Sequence, residues 1–234
     1  MPTARALILT AAFAALLPAP AGDAAARAQD LGRRGFTAMA SERLVRSYEA
    51  RFGDGARPRL EGWKRYAAKR KDAPLDEIQL LAEVNRTLNR LRFVDDLPHW
   101  GSADYWATPA ESVGSDGADC EDFSIAKFFL LKELGVPVSR LRMTYVKALT
   151  LNQAHMVLAY YPRPDAEPLV LDNLEDTVRP ASERTDLVPV YSFNDEEVWI
   201  ESRGRRGSPR QIRNWSLLLE RLDRELSLGR AGPA

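Results

Sequence analysis

Apolar residues repeat at intervals of three and four in the first half of the chain, which is typical of amphipathic helices. A basic stretch, 57–71, is expected to be helical, and Asp72-Ala73-Pro74 predicts the start of a further helix. The apolar face of that second helix is formed by Ile78, Leu81, Val84, Leu88 and Leu91. We expect these side chains to lie in the core.

A helix from about Cys120 to Leu134 is apolar around most of its circumference, so it should be buried. Gly135 and Pro137 follow it and are typical of a helix end. The segment 93–114 is rich in Gly, Pro and aromatic residues and predicts a loop. A last amphipathic helix is marked by Trp215, Leu218, Leu219, Leu222 and Leu226.

Between these helices the pattern favours β-strands. Three candidates are Arg140–Val146, His155–Tyr161 and Leu169–Asp172. The Pro-rich link 162–168 suggests that the last two strands form an antiparallel hairpin, which would bring His155 and Asp172 to the same end of the sheet. Shorter strands are expected at Val188–Tyr191 and Val198–Glu201, and a flexible basic loop at Arg203–Arg210.

These elements predict one α+β domain, in which a helical half bearing Cys120 packs on an antiparallel sheet bearing His155 and Asp172. The N-terminal segment has a different pattern from the domain. Arg5, a short apolar run and small residues up to Ala28 are typical of a secretory signal peptide, and a disordered Ala-rich leader is the alternative. We therefore predict a signal peptide at 1–28, a single domain at 29–234 and a periplasmic location.

Charge and cysteine content narrow the possible functions. Lys plus Arg and Asp plus Glu each number 33, so no overall field favours nucleic acid or an anionic membrane. The chain has one cysteine and cannot form an internal disulfide. No glycine pattern of a P-loop or a Rossmann fold occurs.

The chemistry centres on the run Asp119-Cys120-Glu121-Asp122. A cysteine in the first turn of a helix has its pKa lowered by the helix dipole, whereas neighbouring carboxylates raise it unless a cation neutralises them. His155 could accept the thiol proton and Asp172 could orient the imidazole, as in acyl transfer. Taken singly, an inert buried thiol, an ordinary strand-end histidine and a turn aspartate remain open alternatives.

The three acids around Cys120 suggest a cation site. Closely spaced carboxylates suit calcium, which needs further ligands such as backbone carbonyls or Asp116. Helix capping is the alternative, because acids in a first turn also interact favourably with the helix dipole. No zinc-ligand spacing is present.

Longer motifs show a family resemblance. The runs DYWATPAES, GADCEDFSIAKFFLLKELGVP, LRMTYVKA, AHMVLAYY, PLVLDNL and PVYSFN, within Ala103–Trp199, closely resemble the LapG-type bacterial transglutaminase-like cysteine proteinases. Ala118 stands where that family's run favours glycine. The resemblance implies a papain-like, transglutaminase-like fold with its catalytic core at about 97–202.

By that resemblance the catalytic residues are Cys120, His155 and Asp172, and the calcium ligands are Asp119, Glu121 and Asp122. It implies a periplasmic, calcium-dependent endopeptidase that cleaves the N-terminal retention region of a large surface adhesin and controls biofilm release. It also implies an inner-membrane receptor that sequesters the protease. The alternatives are a transglutaminase or peptidoglycan amidase with the same triad, and a calcium-stabilised binding module with an inert cysteine.

Overall fold

The computed structural model describes residues 41–200, 204–205 and 207–230. Its helices are α1 Glu42–Phe52, α2 Ala56–Asp72, α3 Glu77–Leu88, α4 Asp96–Trp100, α5 Pro109–Ser115, α6 Cys120–Glu133 and α7 Arg213–Arg230. Its strands are β1 Arg92–Phe93, β2 Gly117–Ala118, β3 Leu141–Ala148, β4 Gln153–Tyr160, β5 Leu169–Asp172, β6 Glu175–Pro180, β7 Leu187–Phe193, β8 Val198–Ile200 and β9 Gly204–Arg205. The predicted signal peptide lies outside the described residues.

The large sheet is antiparallel and has the strand order β6-β5-β4-β3-β7-β8-β9. The predicted hairpin of β4 and β5 is present, with Leu158 opposite Leu171. The turn between β3 and β4 contains Asn152, which takes a positive φ of 50°, as asparagine does more readily than most residues. The pairing of β5 with β6 shifts register just before Asp172, where β5 ends.

Helix α6 is the central helix of the fold, as its pattern predicts. It packs on β4 of the sheet and on α3 of the helical layer, so apolar side chains on all sides are covered. Gly135 follows the helix with a φ of 97°, which an L side chain rarely adopts. The mixed helical and antiparallel architecture confirms the predicted α+β class.

The start of α3 differs from the prediction. Asp72 ends α2 rather than beginning the next helix, and the N-cap of α3 is Asp76, whose carboxylate accepts a 3.0 Å hydrogen bond from the amide of Gln79. Ile78 therefore lies on the outer side of the first turn and is 54% exposed. The buried face of α3 consists of Leu80, Leu81, Val84, Asn85 and Leu88.

The segment predicted as a loop contains two short helices. Gly101, with a φ of 71°, ends α4. Helix α5 begins with a capping box, in which the amide of Glu111 donates to Thr108 Oγ1 and the amide of Thr108 donates to the Glu111 carboxylate. The loop prediction missed this signal, although the residues between the two helices do form a loop that reaches the candidate site.

The C-terminal helix α7 closes the core. Trp215 stacks on Phe129 of α6 and meets Phe193 of β7 edge to face. Residues 204–205 of the predicted basic loop form β9, and 209–211 form a 3₁₀ turn, while the rest of it is partly outside the described residues. In the described part of the chain, no helix is both long and apolar enough to cross a membrane.

Candidate active site

The structure brings Cys120, His155 and Asp172 to one region where α6 meets the sheet. Cys120 is the first residue of α6 and is partly buried. The hydroxyl of Ser124, one turn later, lies 3.0 Å from the backbone oxygens of both Cys120 and Met156 on β4, which share its single proton. Because Met156 directly follows His155, this contact ties the start of α6 to the part of β4 that carries the histidine.

His155 and Asp172 form a buried pair. His155 Nε2 lies 2.8 Å from Asp172 Oδ1, and the two residues are 2% and 1% exposed. This bond leaves Nδ1 as the ring nitrogen that can take a proton from a thiol. The predicted proximity of the two side chains is therefore present in the structure, with the sequence order Cys, His, Asp.

Further groups hold the Asp172 carboxylate. Arg184 donates to Oδ2 at 2.7 Å and the amide of Leu174 donates to Oδ1 at 3.0 Å. Burial alone would raise the pKa of Asp172, but the bonds and charges from His155, Leu174 and Arg184 outweigh it and hold the pKa below its usual range. Asp172 is thus an ionised acceptor that can orient an imidazole and stabilise an imidazolium.

The thiol of Cys120 has an acidic neighbour. Its Sγ lies 2.8 Å from Glu121 Oε2 and hydrogen bonds to that carboxylate rather than to His155. Burial, the charge of Glu121 and this hydrogen bond raise the pKa of Cys120 well above its usual value, while a backbone contact from Met156 acts in the opposite direction. In this arrangement the thiol is held protonated.

Acidic side chains cluster beside the nucleophile. Oxygens of Asp96, Asp119 and Asp122 all lie within 4.8 Å of one another, and those of Asp96, Asp104 and Glu121 do the same. Asp122 Oδ1 accepts a 2.6 Å hydrogen bond from the amide of Ala107. Among the described residues, Asp122 Oδ2, Asp119 Oδ1 and Asp96 Oδ1 are buried and have no hydrogen-bond partner.

This geometry favours a cation site over helix capping. Asp119 occupies the N-cap position of α6 but makes no well-formed capping hydrogen bond. Burial and the neighbouring acids raise the pKa of Asp119 to about 10, and burial raises that of Asp96 to about 6. Burial also raises the pKa of Asp122 well above its usual value. Buried oxygens that share a small volume and have no protein donor are suited to a hard cation such as calcium.

Sequence reasoning missed two acids of this cluster. Asp96 begins α4 and Asp104 lies in the loop that follows, so both are far along the chain from the Asp119–Asp122 run. Each is anchored locally: Asp96 accepts from the amide of Tyr105, and Asp104 from Trp106 Nε1 at 3.0 Å. The sequence feature that could have identified them is the presence of two acidic residues in a segment rich in aromatic residues.

Asp116, which the sequence suggests as a further calcium ligand, lies apart from the acidic cluster. Asp116 ends α5 with a φ of 56°, and its carboxylate lies 3.3 Å from Arg92. It is not among the residues that form the two acidic groups. Trp106 is 5% exposed and stacks on Phe193, with 5.7 Å between the two ring centroids, so it packs in the core.

The sequence profile of the bacterial transglutaminase-like cysteine proteinases matches residues 63–206, more than half of the chain. The chain belongs to this family. No significant match occurs among curated proteins.

Solved structures agree with this assignment. The chain is similar to Legionella pneumophila LapG, with 39% identity and a TM-score of 0.67 over 78% of this chain and 97% of that one. It is likewise similar to the calcium-bound form of Legionella pneumophila LapG, with 40% identity and a TM-score of 0.65 over 78% and 99% of the two chains. The described fold is therefore a transglutaminase-like cysteine proteinase fold, as the resemblance implied.

Proposed function

We propose that this protein is a periplasmic, calcium-dependent cysteine endopeptidase that cleaves the N-terminal retention region of a large surface adhesin and so releases biofilm cells. The observation that carries the proposal is the buried His155–Asp172 pair beside Cys120 at the start of α6. Family membership supports the cysteine proteinase class. The resemblance of the motifs within 103–199 to LapG-type proteinases is what supports an adhesin as the substrate.

The geometry supports acyl transfer through Cys120. His155 takes the thiol proton through Nδ1 while Asp172 holds Nε2, and the sulfur attacks the carbonyl carbon of the scissile peptide bond. The protonated imidazole then gives its proton to the departing amine, which leaves a thioester on Cys120. Water, deprotonated by His155, hydrolyses the thioester and restores the thiol.

Calcium dependence follows from the acids around Cys120. Asp119 and Asp122 would hold the ion together with Asp96, and Glu121 would extend the site through its own group with Asp96 and Asp104. When bound, calcium supplies positive charge that offsets the carboxylates at the start of α6. Glu121 has two roles in this account, because its carboxylate both contacts the thiol and belongs to an acidic group.

The test is incubation of the mature protein with the N-terminal region of a large adhesin encoded by the same organism. Parent protein should cleave it in calcium and not in EGTA, and Cys120→Ala should be inactive while keeping its fold, because the substitution removes a nucleophile and little core volume. Failure of the parent to cleave in calcium would refute the proposal. Incorporation of a primary amine without cleavage would indicate a transglutaminase, and release of muropeptides a peptidoglycan amidase.

Binding of the adhesin region without any bond cleavage would indicate the calcium-stabilised binding module instead. The location is tested by N-terminal sequencing of protein from the periplasm, which should begin shortly after Ala21 or Ala28. An inner-membrane receptor that sequesters the protease completes the proposal. Co-purification of the mature protein with the periplasmic part of such a receptor tests it.

A further inference from the structure

Helix α6 places a buried lysine on the same face as the nucleophile. Cys120, Ser124 and Lys127 are spaced i, i+4 and i+7, so they lie along one side of the helix. Ser124 contacts β4 at Met156, which shows that this side of α6 faces the sheet. Lys127 therefore lies two turns below the nucleophile, on the side of the sheet strands that carry His155 and Asp172.

Lys127 is an unusual core residue. Its exposure is 0%, and in the described part of the chain its Nζ has no hydrogen-bond partner. The Phe123 ring centroid lies 5.8 Å from Nζ, a contact that offsets only part of the lost hydration. A buried charge without a hydrogen bond costs stability, and an apolar side chain of the same length would pack there at less cost.

The surroundings of Lys127 connect it to Asp172. Helix α6 packs against β5, the strand that ends at Asp172, as well as against β4. The charges of Asp172 and of Asp176 on β6 both oppose the effect of burial, which lowers the pKa of Lys127 to about 7. Asn89, the residue after the end of α3, is a neutral amide whose Nδ2 donates 2.9 Å hydrogen bonds to the Asp172 backbone oxygen and to the Asp176 carboxylate. Asp172 in turn is hydrogen-bonded to His155, so an effect of Lys127 on Asp172 is passed on to the imidazole.

We propose that Lys127 is a positioning residue for the reaction, whose buried ammonium group acts through Asp172 to hold the His155–Asp172 pair in its working arrangement. This rests on the proposed proteinase function. Asp172 would then be held by Arg184 on one side and by a charge in the core on the other. Burying a lysine without a hydrogen-bond partner lowers stability. Its interaction with Asp172, the acid that orients the imidazole, explains why a lysine is there.

The test replaces Lys127 with Met, which keeps the length and removes the charge. Lys127→Met should unfold at the same or a higher temperature than the parent. Its kcat on the adhesin region should fall about tenfold at pH 6 with KM unchanged, since about 1.4 kcal/mol of transition-state stabilisation is lost. The loss should shrink above pH 7, where the parent also loses the charge. Lys132→Met, on the same helix but paired with Asp195, is the matched control and should keep the parent kcat.

Nitrogen NMR of the imidazoles supplies a readout that needs no substrate. The chain has two histidines, so His99→Gln assigns the spectrum and His99 is an internal reference. Lys127→Met should shift the ring resonances of His155 and leave those of His99 in place. Parent-like His155 resonances would overturn the proposal, whether or not kcat changes. If the parent cleaves nothing, the proposed function fails, and the NMR comparison still decides the role of Lys127.

Discussion

A buried carboxyl group, Glu225 on α7, predicts how stability depends on pH. Glu225 is 6% exposed, and its Oε1 accepts hydrogen bonds from Tyr48 of α1 and from Thr108 at the start of α5. Its other oxygen is buried without a hydrogen-bond partner among the described residues. Burial, with the charge of Glu111 as the next cause, raises the pKa of Glu225 from its usual 4.5 to about 8.

The sign and the magnitude follow from proton linkage. Between pH 4.5 and about pH 8 the folded protein keeps a proton on Glu225 that the unfolded chain has lost, so the free energy of unfolding falls as the pH rises. Each pKa unit of difference corresponds to about 1.4 kcal/mol. The full effect is therefore at most about 5 kcal/mol, complete above pH 8 and absent below pH 4.5.

Glu225→Gln removes this titration and keeps an oxygen to accept from Tyr48 and Thr108. The variant should match the parent at pH 4.5 and exceed it by several kcal/mol at pH 8.5, in urea unfolding followed by tryptophan fluorescence at a fixed calcium concentration. Glu220→Gln, on the exposed side of α7, is the matched control and should change stability equally little at both pH values. A Glu225→Gln effect that is the same at both pH values would refute the raised pKa.

Three further predictions concern the candidate site and its supports. Asp172→Asn should lower kcat about 10⁴-fold with little change in KM, because the amide cannot stabilise an imidazolium; steady-state kinetics measures this, and a kcat near that of the parent would contradict it. Asp122→Ala should raise the calcium concentration needed for activity and weaken calcium binding in titration calorimetry, whereas under capping alone it would cost only about 0.5–2 kcal/mol of stability without any calcium effect. Thr108→Ala should lower the free energy of unfolding by about 1–2 kcal/mol in urea, since it removes the cap of α5 and a donor to Glu225; Thr108→Ser should restore most of it.

The parts of the fold that were predictable are those with local signals. Helix α6 was predictable because its apolar run is bounded by an acidic start and by Gly135. The strands β3 to β5 were predictable because β-branched and aromatic runs alternate with turn residues, and the β4–β5 hairpin fixed the relative placement of His155 and Asp172. Each of these features is contained in a short, continuous stretch of the chain.

The remaining features depend on contacts that the sequence does not display. Asp96 joins the acidic cluster only because α4 and its following loop fold against the start of α6. Arg184 reaches Asp172 through a turn after β6, and an arginine in a polar segment is typical of a solvated side chain. Lys127 is a similar case, since one lysine in a helix is normally expected at the surface. Tertiary packing overrides that expectation here.

Helix α6 carries two side chains, Asp122 and Lys127, that each have a buried polar atom without a hydrogen-bond partner among the described residues. Most of the helix is covered by apolar contacts. Asp122 precedes and Lys127 follows Ser124, the residue that contacts β4. Apolar or capping residues at these two positions would give a more stable helix. They interact with different parts of the candidate site: Asp122 belongs to the acidic cluster beside Cys120, and Lys127 interacts with Asp172. A helix that only supported the core would need neither side chain, so the chemistry of the neighbouring groups explains why both are present.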